Sequence, residues 1–109
     1  MNIIAKGSIL YYIDKYPMAK TSLLTWYHEF LKARFKNFNE LKEIYGNASL
    51  IANSRVIFNV KGNDFRLIVS VNFKQEAAYI IWFGTHKEYD KIDTAEVEFD
   101  VDILNYKNK

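Results

Sequence analysis

The chain has 109 residues, half of them hydrophobic and 17% aromatic, which is enough for one domain with a real core, too short for two ordinary domains and too apolar for disorder. It contains no cysteine, which excludes disulfides, thiolate nucleophiles and sulfur-based zinc sites and fits a reducing compartment. Net charge is only +2, yet residues 1–87 hold 12 basic against 6 acidic side chains and residues 88–109 hold 3 against 7. A basic body of this kind can face an anion such as nucleic acid, although on charge alone ordinary solvated charge is the better explanation.

No apolar stretch approaches the roughly 20 residues a membrane helix needs; the longest lies within Ala77–Gly84. The segment "MNIIAKGSILYYIDKYP" places Lys6 late and Asp14 inside it and has no small-residue cleavage pattern, so it does not read as a signal peptide. The expectation is a cytoplasmic protein with no membrane partner.

In chain order, Ile3, Ile4, Leu10, Tyr11 and Ile13 predict a short first helix ending near Tyr16. Pro17 stops it and suits the first position of the next. Leu23, Leu24, Trp26, Tyr27, Phe30 and Leu31 then form the apolar stripe of a second helix, with Lys20, His28, Lys32 and Arg34 on its other side. Asn37 with Glu40 three residues on predicts the N-terminus of a third helix, and Gly46 its stop.

From Arg55 the pattern becomes that of strands. Arg55–Val60, Phe65–Phe73 and Ala77–Thr85 are rich in β-branched and aromatic residues, and hairpin-length links join them, so an antiparallel meander is expected. In the middle strand Phe65, Leu67, Val69, Val71 and Phe73 share the face expected to pack on the helices. Arg66 then lies on the open face, unless it is buried and paired. Beyond Asp93, alternation of Val97, Phe99, Val101 and Ile103 with acidic residues suggests an edge strand or a loose tail. The expected organisation is one domain over residues 1–93 with an acidic segment over 94–109.

Two polar interruptions carry the candidate chemistry: "KGND" after Val60, and "THKEYD" after Gly84. Lys61, Arg66, His86 and Tyr89 would suffice to cut an RNA phosphodiester without a metal. Such a cut needs a base for the 2′-hydroxyl, cations on the phosphate and an acid for the leaving 5′-oxygen. Histidine suits proton transfer near neutral pH, arginine grips two phosphate oxygens, lysine adds a point charge and tyrosine donates a proton or stacks on a base. Each residue also has an ordinary counterpart: a surface histidine, a strand arginine paired with Asp64 or Glu88, a plain hairpin turn, a packing tyrosine. His86, Glu88 and Asp90 alternate as three ligands would on a strand, but there is no second cluster and no HExxH, so no metal and no cofactor is expected. GxGxxG and GxxxxGK[ST] are both absent.

The patterns F-N-V-K-G-N-x-x-R-L and G-T-H-x-E-Y-D resemble the HigB-type toxins of bacterial toxin–antitoxin modules, a branch related to the RelE toxins. The helical half is similar too, in its Tyr-Pro, the Trp of its second helix and the Phe-Lys before its third. The resemblance spans roughly Met1 to Asp93 and says nothing of the acidic tail. It implies an α+β fold, with N-terminal helices packed on one face of an antiparallel three- to four-stranded sheet and an RNA site on the other. It also implies a metal-independent endoribonuclease that cuts mRNA in the ribosomal A site by 2′-hydroxyl attack. The implied partners are mRNA, the ribosome and a neutralising HigA-type helix-turn-helix antitoxin, with operator DNA bound only through the antitoxin complex. Carried over, Arg66 holds the scissile phosphate, His86 is the general acid or base and Tyr89 stacks or helps proton transfer. Lys61, Asn63 and Lys87 contact the RNA. The competing reading is a non-catalytic RNA- or protein-binding module on the same fold.

Overall fold

The computed structural model describes residues 1–4, 7–51 and 54–98. The elements are β1 (Asn2–Ile4), α1 (Gly7–Lys15), a 3-10 turn (Pro17–Ala19), α2 (Lys20–Lys32), α3 (Phe38–Ile44), β2 (Ser49–Ile51), β3 (Arg55–Val60), β4 (Phe65–Asn72), β5 (Ala77–Thr85) and α4 (His86–Tyr89). Helices and sheet make an α+β fold, and the sheet has five strands in the order β1-β5-β4-β3-β2.

β3, β4 and β5 form the expected meander, with Val60 opposite Phe65 and Asn72 opposite Ala77. Two short strands extend it. β2 pairs antiparallel with β3, whereas β1 runs parallel to β5. Ile3 and Ile4 therefore belong to an edge strand and not to the first helix, which starts only at Gly7. Three residues are too few for a period to separate the two states, and the pairing that decides lies far along the chain.

Helix boundaries follow local chemistry. Pro17 opens the 3-10 turn that leads into α2. The Asn37 side chain accepts a hydrogen bond from the Glu40 N–H at 3.0 Å, and Glu40 Oε1 accepts from the Lys36 N–H. The third helix ends at Ile44, just before Tyr45 and Gly46.

The helices and the predicted sheet face bury Tyr12, Leu23, Phe30, Val56, Phe58, Leu67, Val69, Ile80 and Phe83. Aromatic rings organise this core: Trp26 stacks on Phe30 at 4.8 Å, and Phe65 lies parallel to Phe83 at 5.1 Å. The second face is not bare. Ile57 and Ile68 point away from the helices and are nonetheless buried. Arg55 Nη1, on that face of β3, donates to the Thr94 carbonyl at 3.1 Å and ties the chain after α4 across it. Residues 94–98 contain no strand; Phe99, Val101 and Ile103 lie outside the described residues. No helix among the described residues is long and apolar enough to cross a membrane.

Candidate functional site

At one end of the sheet the β3–β4 loop and the β5–α4 junction meet. The loop is tight: Lys61 and Gly62 both take positive φ, 56° and 62°, and the Asp64 N–H bonds the Lys61 carbonyl at 3.1 Å. Gly62 accepts that conformation freely, whereas Lys61 pays a steric cost for it. The Asp64 carbonyl in turn accepts from the His86 N–H at 2.9 Å, so the loop grips the first residue of α4 directly.

The third strand of the meander ends at Thr85, as expected, and Thr85 then caps a one-turn helix. Thr85 Oγ1 accepts from the Glu88 N–H at 3.2 Å, and Glu88 Oε1 accepts from the Thr85 N–H at 2.9 Å. That is a capping box, legible in the Thr-x-x-Glu spacing. The helical turn removes the basis for a three-ligand alternation, because i and i+2 do not share a helix face. Instead His86 Nε2 faces Asp90 Oδ1 at 3.6 Å, one turn on.

The capping glutamate has a distant partner. Tyr16 donates its hydroxyl to Glu88 Oε1 at 2.7 Å, across 72 residues of sequence. Burial alone would raise the Glu88 pKa, but the Thr85 and Tyr16 hydrogen bonds and the Lys15 charge outweigh it and hold the carboxyl below its ordinary value. Burial and the same carboxylate push the Tyr16 phenol well up. The pair is therefore a neutral donor on an ionised acceptor, the arrangement in which this hydrogen bond is strongest.

Around this junction runs a groove of about 800 Å³ lined by Lys15, Tyr16, Met18, Lys61, Asn63, Asp64, Phe65, Thr85, His86 and Lys87. Of the predicted residues, Lys61, Asn63, His86 and Lys87 line it. Lys61 Nζ lies 3.7 Å from Asp64 Oδ2.

Arg66 and Tyr89 sit beside the groove, on the second face of the sheet. Arg66 pairs with Gly84 across the strands, and its guanidinium lies 5.8 Å from the Tyr89 ring centre. Its Nη1 donates to the Asn63 and Phe65 carbonyls at 3.2 and 3.1 Å. One of three guanidinium nitrogens is thereby fixed to the loop that borders the groove. Burial raises the Tyr89 pKa, with Arg66 opposing and Asp90 adding to the rise, so the phenol stays protonated at neutral pH. Trp82 completes this side, its ring 6.3 Å from Tyr89 and lying across Gly84, where a Cβ would stand only 2.6 Å from the indole.

The six predicted residues thus gather at one end of the molecule in two adjoining groups, joined through Asn63. Residues 19–92 match the HigB toxin family, described as the RelE-like toxic component of a toxin–antitoxin system. The chain belongs to that family. It is 32% identical over 92 residues to the mRNA interferase toxin HigB of Escherichia coli (strain K12) and to the mRNA interferase HigB of Shigella flexneri, covering 83% of this chain and 88% of each relative. It is also 27% identical over 94 residues to the mRNA interferase HigB of Escherichia coli O6:H1 (strain CFT073), covering 84% of this chain and 91% of that relative.

The sequence reading missed Lys15, Tyr16 and Met18 as groove residues and Glu88 as the fastener of α4. Only the Thr85–Glu88 spacing could have announced part of this. Nothing in the sequence brings Tyr16 to Glu88.

Proposed function

We propose that the chain is a toxin endoribonuclease that cuts mRNA on translating ribosomes, without a metal, by attack of the 2′-hydroxyl on the neighbouring phosphate. A HigA-type antitoxin holds it inactive, and the setting is the cytoplasm. The observation that carries this reading is the meeting of His86, Lys61, Asn63 and Lys87 around one groove, with Arg66 and Tyr89 adjoining, in a chain whose relatives are named mRNA interferases.

The geometry is compatible with the following roles. Arg66, with Nη1 fixed by two carbonyls, presents its remaining N–H donors to the scissile phosphate and offsets the charge that grows on its oxygens. His86, exposed at the start of α4 with its main chain tied to Asp64, moves the proton. As base it takes the 2′-hydroxyl proton; as acid it gives one to the leaving 5′-oxygen. Tyr89 is protonated at neutral pH and can supply the second proton transfer as donor or stack on a base. Lys61 and Lys87 add positive charge, and Asn63 contacts the strand. The products are a 2′,3′-cyclic phosphate and a 5′-hydroxyl end.

Induced expression of wild type beside His86→Ala and Arg66→Ala, with message 5′ ends mapped by primer extension, tests the reading. New ends at A-site codons with wild type alone are expected, each variant losing at least about 100-fold in cleavage, the usual worth of a positioned acid–base or charge-stabilising group. Soluble, folded wild type that leaves messages intact would instead support a non-catalytic binding module.

A further inference from the structure

We infer that the groove on the helix side of His86 is an RNA subsite. It holds the nucleotide next to the scissile phosphate, with its base against Met18 and Tyr16 and its backbone on Lys15, Lys61 and Lys87. This rests on the endoribonuclease reading and names a part of its site that only the fold assembles.

The floor of the groove suits a base. Met18 is 61% exposed, in the 3-10 turn that Pro17 opens, and is a soft, polarisable side chain that packs well on aromatic faces. The Tyr16 ring is held rigidly, edge-on to Phe65 and Phe83 at 5.5 and 5.7 Å, with its hydroxyl bonded to Glu88. A ring fixed before binding gives a stacking surface at little entropic cost.

The rim suits phosphates. Lys15, Lys61 and Lys87 border the groove; Asp64 faces Lys61, and the ionised Glu88 on the Tyr16 hydroxyl is close enough to interact with the Lys15 charge. Lys15 Nζ lies over the Tyr16 ring, 5.7 Å from its centre, so a base that reaches this ring moves the exposed lysine aside toward its own phosphate. A single RNA strand presents that alternation of anionic backbone and flat apolar base.

Continuity decides the occupant. Arg66 and Tyr89 lie on the second face and His86 at the sheet's end, so a strand held by both must pass the edge between them. On the far side of His86 the next surface it meets is this groove, which shares His86 and Lys87 with the proposed chemistry. At about 800 Å³ its volume lies within the range of ~300–1,000 Å³ typical of small-ligand sites.

The test uses the full chain with Lys15→Gln and Met18→Asp, both exposed positions, each checked for an unchanged thermal melt. Each is expected to give about tenfold fewer new message 5′ ends than wild type on induction, a loss of about 1.4 kcal/mol. In parallel, the His86→Ala protein is photocrosslinked to RNA containing 4-thiouridine, and adducts on the peptide bearing Tyr16 and Met18 are expected. Variants that cut like wild type, or adducts confined to other surfaces, overturn the subsite while leaving the endoribonuclease reading intact. Variants that cut like wild type but no longer bind the antitoxin reassign the groove to protein docking. A wild type that cuts nothing overturns both readings.

Discussion

Lys61 occupies a backbone position that glycine would fill better. Its φ of 56° costs a residue with a Cβ about 1 kcal/mol. Lys61→Gly is therefore expected to raise stability by up to about 1 kcal/mol in chemical denaturation, within the steric cost removed, while lowering message cleavage. Equal or better cleavage would show that the lysine is there for some other reason. Tyr45 makes a simpler case. Its hydroxyl is buried without a hydrogen-bond partner among the described residues, and burial, with the Glu29 charge, pushes its pKa up to about 12. Tyr45→Phe keeps the ring packing on Phe58 at 5.1 Å and removes the unsatisfied group. Denaturation should find it neutral or more stable by up to about 1 kcal/mol. Gly84→Ala points the other way: the new methyl meets the Trp82 ring, so the indole must leave its place beside Tyr89. A change in tryptophan fluorescence together with weaker cleavage is the expected outcome.

At the scale of elements, α4 is one turn long and cannot hold itself together by propensity. Its geometry comes from the capping box, from Asp64 on the β3–β4 loop and from Tyr16 at the end of the first helix. The Tyr16–Glu88 bond needs a protonated phenol and an ionised carboxylate. Because the folded Glu88 pKa is lowered, its contribution is complete above the ordinary 4.5 and is lost as pH falls from there through the folded value. Because the folded Tyr16 pKa is raised, its contribution is complete below 10 and is lost as pH climbs from there through the folded value. Tyr16→Phe should thus lower the melting temperature between those limits and remove part of the alkaline fall, which melts recorded across pH would read out. An unchanged alkaline limb would mean the phenol is not coupled to folding.

For the molecule as a whole, the two sheet faces are buried by different means. One carries the helices; the other buries Ile57 and Ile68 and is crossed by the chain after α4, held by Arg55 on the Thr94 carbonyl. Arg55→Ala should raise amide hydrogen exchange across residues 91–98 while β3, β4 and β5 stay protected. Faster exchange throughout the sheet would show instead that this segment is integral to the global fold. The face with Arg66 and Tyr89 is for the same reason narrower than an open sheet, and the proposed RNA path is confined to the sheet's end.

Local order was readable in the residues themselves. The alternation from Arg55 to Thr85, the stripe on α2 and the Asn37 cap each depend on neighbours a few positions apart, where period and hydrogen-bonding chemistry decide. That Lys61 and His86 would come to one end was likewise readable, because hairpin-length links bring both loops to one end of a meander, whereas Asn63 and Lys87 entered only through the family resemblance. What needed the tertiary structure were relations between distant segments: β1 pairing with β5, Tyr16 closing on Glu88, and Lys15 and Met18 facing Lys61 and Lys87 across the groove. The burial of Ile68 is of the same kind, since alternation assigns a residue to a face but cannot say what covers that face. Local sequence determined the elements and their chemistry; the packing of helices against one end of the sheet decided which of those side chains share a site.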